Sequence, residues 1–173
     1  MRAENYQARH QPPSHEYELN FGPNHPGIEG NYALKVRLHG DTVMEAKADG
    51  GFLLRGFEKL MEQGLWIQNL ALVPRICVPD PAPMELAYST AVETLCGLDV
   101  PVRAQWLRVL QMELSRIAAH LFTFGGHAAT TGMYNPMYWG VADRDVVLDL
   151  FEELTGGRVY HIYNIPGGVR KDV

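Results

Sequence analysis

Apolar and polar residues alternate along residues 32–39, which is the period-two pattern of a half-exposed β-strand. A Gly-Asp turn follows, and residues 42–48 return in a similar pattern, so we predict an antiparallel hairpin. Another short strand is predicted over residues 16–21, ahead of a loop rich in proline and glycine. The polar residues 1–15 are expected to form a flexible arm. Residues 16–50 should therefore make an antiparallel β portion.

The later part of the chain has apolar positions that recur every three or four residues, which indicates helices. The longest helix is predicted from about Pro101 to Phe124, where Gly125 and Gly126 should stop it. Its core face is expected to be the apolar stripe of Val102, Trp106, Val109, Leu110, Leu114, Ile117, Leu121 and Phe124.

Shorter helices are predicted near residues 57–65, 84–95 and 146–154, with an irregular proline-rich segment after Cys77. These patterns predict an α+β fold. A small N-terminal antiparallel β portion should be followed by a mainly α-helical bundle with one long core helix. The helical portion covers residues 51–173, and we expect it to continue in a C-terminal half outside this sequence.

Composition narrows the class of protein. The chain has 173 residues, of which 46% are hydrophobic, enough for one buried core. Its 20 acidic residues outnumber its 15 basic ones, and this charge argues against a nucleic-acid partner, which needs a basic surface. Two cysteines, Cys77 and Cys96, cannot form a disulfide framework or a four-thiolate metal site.

One long stretch, from Ile117 to Ala142, contains no Asp, Glu, Lys or Arg. Glycines and Pro136 interrupt it, and a broken helix in lipid would leave backbone groups unsatisfied. We therefore expect a buried helix end followed by an aromatic-lined loop, in a chain that is soluble or peripheral to a membrane.

Generic motifs identify no chemistry. The sequence contains no phosphate loop, dinucleotide fingerprint or nucleophile elbow. His120 and His127 lie two helical turns apart and are interpreted as separate polar contacts. Cys77 is either a buried, inert thiol or a ligand or reactive thiol. Glu29, in a turn between two predicted strands, is expected by default to be solvated.

Short motifs follow one another along nearly all of the chain after residue 17 in the order of a known family. They are LNFGPNHP at 19–26, GFLLRGFEK at 51–59, PR at 74–75, VPVRA at 100–104, ELSRI at 113–117, DLFEELTG at 149–156 and GGV at 167–169. They resemble motifs of the 49 kDa (D) subunit of respiratory complex I. The family is longer, so the chain resembles only its N-terminal part.

The resemblance implies a subunit that binds no cofactor or metal by itself and is not active alone. It would pack against a small iron–sulfur subunit, and the cleft between them would receive electrons from the terminal iron–sulfur cluster and reduce quinone. Other hydrophilic-arm subunits and membrane-arm subunits are the further partners implied. The expected location is peripheral, on the cytoplasmic face of the cell membrane.

Two positions match residues that lie beside the cluster in this family, Arg55 and His127. A cation and a hydrogen-bond donor there would raise the cluster potential by stabilising its reduced form. The alternative for Arg55 is a salt bridge, for instance to Glu58. The resemblance also implies catalytic roles for His25 and Glu29, in the loop after the first strand.

The expected quinone-headgroup residues are replaced. Glu29 stands for the second histidine of the first motif, Val78 for a tyrosine, with Cys77 before it, and Thr130 for an aspartate. Cys77, Val78 and Thr130 are still predicted to line the quinone cleft. We expect Glu29 to handle protons, because desolvation in a cleft raises a carboxyl pKa.

Some of these departures resemble the large subunits of membrane-bound nickel–iron hydrogenases. They are Ile28-Glu29-Gly30 and Arg75-Ile76-Cys77, the start of an Arg-x-Cys-x-x-Cys motif whose second cysteine is Asp80 here. A four-thiolate site cannot be built from this sequence. The alternatives to a quinone-reducing subunit are thus a relative of these hydrogenases and a non-catalytic assembly module that has lost the site.

Overall fold

The computed structural model describes residues 16–25 and 31–173. The chain divides into two compact units, the first ending at Arg55 and the second starting at Gly56. The predicted arm, residues 1–15, and Glu29 lie outside the described residues.

The first unit contains a three-stranded antiparallel sheet, as the alternating pattern predicts. Its strands are β1 (Glu16–Phe21), β2 (Ala33–His39) and β3 (Thr42–Asp49). Strand β2 lies in the middle and pairs antiparallel with both neighbours. Its Arg37 guanidinium lies 3.1 Å from the Glu45 carboxylate and 4.0 Å from that of Glu16, so one charged side chain reaches all three strands.

The second unit is mainly helical. Its elements are α1 (Phe57–Gln63), two 3₁₀ turns (Gln68–Ala71 and Val73–Arg75), α2 (Pro81–Cys96), α3 (Val102–Thr130), α4 (Tyr134–Thr155), β4 (Asn164–Ile165) and β5 (Gly168–Val169). Helix α3 packs along α4, and β4 and β5 form a short antiparallel ribbon. The predicted α+β fold with one long helix is confirmed.

Three predicted helix boundaries are wrong, one of which is the start of α4, at Tyr134 instead of near residue 146. Helix α2 begins at Pro81, inside the segment predicted to be irregular, because prolines in a first turn replace N–H groups that have no helical partner. Helix α3 runs through Gly125 and Gly126 to Thr130. A Cβ atom on Gly125 would lie 3.4 Å from the Met137 carbonyl oxygen of α4, so this glycine permits close packing of two helices and does not stop one.

The predicted core face of α3 is also wrong. Six of the eight apolar stripe residues are exposed, and Leu114 and Leu121 are half-buried. The face that is buried carries one large apolar residue, Leu107, among small and polar ones, namely Ala104, Arg108, Gln111, Ser115, Ala118, Gly125 and Ala128. Small residues let α4 approach closely, and the polar ones are satisfied by hydrogen bonds within the fold.

The uncharged stretch forms the end of α3, a short turn and the start of α4, so the predicted aromatic-lined loop is wrong. Its large side chains lie on the surface of the second unit: Phe122, Phe124, Met133, Tyr134, Tyr138 and Trp139. The buried apolar core is small by comparison. Leu107, Leu154 and Tyr163 form one cluster, and a second joins Ala118, Val147 and Phe151 of α3 and α4.

Candidate functional site

Helix α2 presents a buried carboxylate to the backbone that enters β4. The Glu85 side chain is fully buried and accepts hydrogen bonds from the N–H groups of Ile162 (2.7 Å), Tyr163 (2.9 Å) and Asn164 (3.2 Å). Burial raises the pKa of Glu85, although these three donors act in the opposite direction. The Glu85 carboxylate thus supplies hydrogen-bond acceptors for three N–H groups of the irregular segment that enters β4.

A buried ion pair lies two helical turns further along α2. The Glu93 carboxylate oxygens accept from Arg108 of α3 at 2.5 and 3.1 Å, and one also accepts from the Gly167 N–H at 2.8 Å. Arg108 donates to the Ile165 and Gly168 carbonyls at 2.9 Å as well. Burial acts to raise the pKa of Glu93, but the Arg108 and Gly167 contacts outweigh it and lower the pKa. The pair therefore holds the β4–β5 turn against both helices.

Gln111 links these contacts to a buried histidine. Its Oε1 accepts from the Asn164 side-chain amide at 2.7 Å, so its Nε2 group is the donor toward His161 Nδ1, 3.3 Å away. His161 Nδ1 is consequently the acceptor, and Nε2 carries the proton of the neutral ring. The ring stacks on Phe151 with 4.1 Å between centroids. Burial lowers the pKa of His161 to about 4, so the ring is neutral at physiological pH.

Sequence reasoning missed this polar network. The sequence feature that marks the network is a stripe of polar residues at helical spacing. On α2 this stripe consists of Glu85, Ser89 and Glu93, each one turn apart. Such a stripe is typical of a solvated face. It is buried here because the ribbon segment from His161 to Val169 supplies a backbone partner to each member.

The predicted cleft segment precedes α2, and contacts at both of its ends hold it. The Arg75 guanidinium lies 4.9 Å from the Tyr160 ring centroid and donates to the Ala71 carbonyl. At the other end Asp80 accepts a hydrogen bond from the Ser115 hydroxyl of α3 at 2.5 Å. Between them Cys77 is half-buried, and Val78 is 50% exposed. The segment thus presents Val78 on a fixed backbone.

His127 and Thr130 lie together at the end of α3. His127 Nδ1 donates to the Thr123 carbonyl at 2.8 Å, because a carbonyl oxygen can only accept. The neutral ring therefore offers a lone pair at Nε2, and only the imidazolium can donate from that nitrogen. The Thr130 hydroxyl donates to the His127 carbonyl at 2.7 Å. Both side chains are exposed, and neither is hydrogen-bonded to Cys77 or Val78 within the described ranges.

The first unit carries the remaining predicted site residues. The His25 ring meets Phe21 edge-on, with centroids 5.7 Å apart, and is half-buried. The loop between them turns at Gly22, where a Cβ would lie 2.4 Å from the Tyr32 carbonyl oxygen, so only glycine fits. Arg55 is the exposed last residue of this unit. The predicted roles of His25 and Arg55 stay predictions, as does that of Glu29.

The described residues contain no cluster of metal ligands. Among residues 16–25 and 31–173, no three His, Cys, Asp or Glu side chains come together in a group that could hold a metal ion. The Asp80 carboxylate, at the position of the second hydrogenase cysteine, is engaged by Ser115. None of the helices in the described part of the chain is long and apolar enough to cross a bilayer.

Comparison with solved structures finds the same fold in a respiratory complex. The chain superposes on one subunit in the structure of the membrane-bound sulfane sulfur reductase, an archaeal respiratory membrane complex, with a TM-score of 0.83 and 48% identity. The alignment covers 91% of this chain and 42% of that subunit. The fold is therefore that of a subunit of a respiratory membrane complex.

Sequence comparison supports the resemblance to a known family. A profile described as "Respiratory-chain NADH dehydrogenase, 49 Kd subunit" matches residues 130–173. The D subunit of the NADH-quinone oxidoreductase of Thermosipho melanesiensis is 58% identical over 91% of this chain, and subunit 4 of the Thermus thermophilus enzyme is 41% identical over 90%. The predicted resemblance of the motifs to the 49 kDa (D) subunit family of respiratory NADH dehydrogenase is confirmed. The chain spans 43% and 38% of the length of these two relatives.

Proposed function

We propose that this chain works as part of the D subunit of a complex I-like, membrane-associated oxidoreductase. The observation that carries the proposal is the 58% identity to the D subunit of an NADH-quinone oxidoreductase over 91% of the chain. With a small iron–sulfur subunit it forms the cleft where electrons leave the terminal cluster for quinone. The cluster belongs to the partner, and quinone binds at the interface, so the chain alone is inactive.

The anchored segment between Arg75 and Asp80 supports a cleft-lining role. Electron transfer to a bound acceptor needs a wall that does not move when the acceptor binds, because positioning supplies much of the rate. The Arg75–Tyr160 and Asp80–Ser115 contacts supply such a wall beside Cys77 and Val78. Thr130 lines the same cleft in this proposal, and His25 and Glu29 handle the protons that accompany quinone reduction.

The exposed aromatic surface supports binding to other subunits. Tyr134, Tyr138 and Trp139 are each more than 60% exposed on an uncharged stretch, and aromatic patches without charge are typical of interface cores. The partners proposed are the small iron–sulfur subunit, other hydrophilic-arm subunits and membrane-arm subunits. This assembly would hold the chain peripherally at the cytoplasmic face of the membrane.

A second candidate acceptor is sulfane sulfur. The chain is 48% identical to a subunit of a sulfane sulfur reductase, a value between its 58% identity to the Thermosipho melanesiensis D subunit and its 41% identity to subunit 4 of the Thermus thermophilus enzyme. The replacement of the tyrosine, histidine and aspartate by Val78, Glu29 and Thr130 changes all three side chains expected to contact a quinone headgroup, and Val78 offers no hydrogen bond. A polysulfide chain needs fewer such contacts, and the half-buried Cys77 stands beside that position.

The two acceptors can be separated with the complex purified from its host, reduced through its natural electron input. Turnover is measured with a short-chain quinone and, separately, with polysulfide as the acceptor. The proposal predicts quinone reduction that fails when Val78 is enlarged to Trp, while Val43→Trp, on the exposed face of β3, leaves it unchanged. Polysulfide turnover without quinone turnover would assign the second candidate.

The same preparation tests for a hydrogenase relative and for an assembly module. Bound nickel would identify a relative of the nickel–iron hydrogenases. A complex that assembles, reduces its clusters and turns over neither acceptor would identify an assembly module.

A further inference from the structure

A small cavity lies against the anchored segment, within the second unit. Its volume is about 10 Å³, room for about one water-sized occupant. The residues of its wall that matter here are Val78, Pro79, Ser115, Arg144, Arg158 and His161. It is therefore bounded by the start of α2, the middle of α3 and α4, and the chain ahead of β4.

Two unpaired N–H groups belong to this wall. His161 is 2% exposed, and Gln111 fixes its tautomer so that Nε2 bears the proton. Neither His161 Nε2 nor Arg144 Nε has a hydrogen-bond partner among the described residues. The Arg158 carbonyl interacts with the His161 ring and acts to raise its pKa. It does not, however, have the distance and angle of a hydrogen bond to Nε2. Two buried donors on one cavity call for an acceptor within it.

The charges around the cavity indicate which kind of hydrogen-bond acceptor would bind in it. Arg158 is paired with the carboxylates of Asp145, Asp149 and Glu152. Arg144, in contrast, has no carboxylate within 4.0 Å in the described part of the chain, and its guanidinium lies 5.4 Å from the Phe122 ring centroid. The more distant Asp145 offsets its charge only partly, and burial lowers the pKa of Arg144. The cavity wall thus holds a half-buried cation that forms no ion pair with a carboxylate in the described part of the chain.

We propose that this cavity binds one compact monovalent anion, a halide or hydrosulfide, between His161 Nε2–H and Arg144 Nε–H. An occupant of one heavy atom fits the volume, and neither donor has a partner among the described residues. A water molecule would accept the same two hydrogen bonds but would bring no negative charge to Arg144, whereas an anion would add to the partial compensation by Asp145. Because Val78 is on the wall, the anion would also fix the segment proposed to line the cleft. Anion binding here is independent of which electron acceptor the complex reduces.

Thermal unfolding of the 173-residue chain tests the site directly. Melting temperatures are compared in sodium chloride, bromide, hydrosulfide and gluconate at equal ionic strength, since gluconate is too large for the cavity. We expect the melting temperature to rise by several degrees, and to saturate, in at least one kind of small anion. A rise in chloride and bromide would identify a halide as the occupant, and a rise in hydrosulfide would identify hydrosulfide. Equal melting temperatures in all four salts would mean that water occupies the cavity, and would overturn the proposal.

Variants assign the effect to this cavity. Arg144→Gln and His161→Phe should each abolish the anion-specific rise, and Arg116→Gln, at an exposed ion pair with Glu113, should retain it. Arg144 is half-buried, so its variant keeps the test valid if His161→Phe fails to fold. A rise that persists in both cavity variants would place the anion elsewhere and contradict the assignment.

Discussion

The Arg108 guanidinium and the Glu93 carboxylate form a buried two-point ion pair that joins α3 to α2 and also binds the backbone of the β4–β5 turn. Both side chains are less than a tenth exposed. A charge-assisted pair of this kind is stable in the interior only when its remaining hydrogen-bond positions are filled. The Gly167 N–H and the carbonyls of Ile165 and Gly168 fill them here.

Removing one partner of this pair should be strongly destabilising. We expect Arg108→Met to lower the free energy of unfolding by about 3–5 kcal/mol, because Glu93 is left charged and buried. The measurement is urea unfolding followed by circular dichroism. Arg103→Met, at an exposed ion pair on the same helix, is the matched control and should change the free energy of unfolding by less than about 1 kcal/mol. Equal losses in the two variants would show that burial does not govern the energy of the Arg108 pair.

Stability should fall in mild acid because of His161. Its pKa is lowered to about 4 in the folded chain, so the unfolded chain takes up this proton first as the pH falls. The free energy of unfolding should therefore decrease between about pH 6.5 and pH 4, by up to roughly 3 kcal/mol from this group. Glu85 has a raised pKa, and its contribution has the opposite sign.

The difference between the native chain and His161→Phe isolates the histidine, because Glu85 is common to both. Urea unfolding at several pH values should give a shallower acid slope for the variant. Parallel slopes across this pH range would mean that His161 is already accessible to protons in the folded chain.

Close packing of α3 against α4 should depend on Gly140. A Cβ there would lie 2.8 Å from the Leu121 carbonyl oxygen, too near for any real side chain. In an open helix, Gly→Ala stabilises by up to about 1 kcal/mol, so the steric term must reverse that sign. We expect Gly140→Ala to destabilise the chain by about 1–3 kcal/mol, measured by thermal unfolding. Gly50→Ala, with open space around its Cβ, is the control and should be close to neutral; a stabilised Gly140→Ala would contradict the packing argument.

The β-strands were predictable from sequence because alternation is a local property, and β2 and β3 are neighbours joined by a short turn. The face of α3 was not predictable. Trp106 and Val109 are strongly apolar yet exposed, whereas Arg108 and Gln111 are buried. Burial of those polar residues depends on partners more than 50 positions away, at Asn164 and Gly168, which no periodicity reveals.

Part of the candidate site was likewise predictable from the sequence, and part of it was not. Motif order located Cys77 and Val78 on one segment, and the structure shows the contacts that hold it. The tautomer of His161 could not be predicted from the sequence, because it is set by the orientation of the Gln111 amide.

Glu29 is expected to carry protons during turnover. Glu29→Gln removes the ionisable group while keeping size and polarity, so turnover of the purified complex should be abolished while assembly and cluster reduction persist. Glu18→Gln, on the exposed face of β1, is the control and should leave turnover unchanged. A Glu29→Gln complex with full activity at every pH would identify Glu29 as an ordinary solvated carboxylate.

The central claim, that this chain faces an iron–sulfur cluster of a partner subunit, is tested most directly by a redox titration of the terminal cluster, followed by electron paramagnetic resonance in the assembled complex. A nearby cation favours the reduced cluster, so Arg55→Met should lower its midpoint potential, on the order of tens of millivolts. Arg37→Met, at a surface ion pair of the same unit, should leave the potential unchanged. A cluster whose potential and spectrum are identical in the native complex and in Arg55→Met would contradict the account.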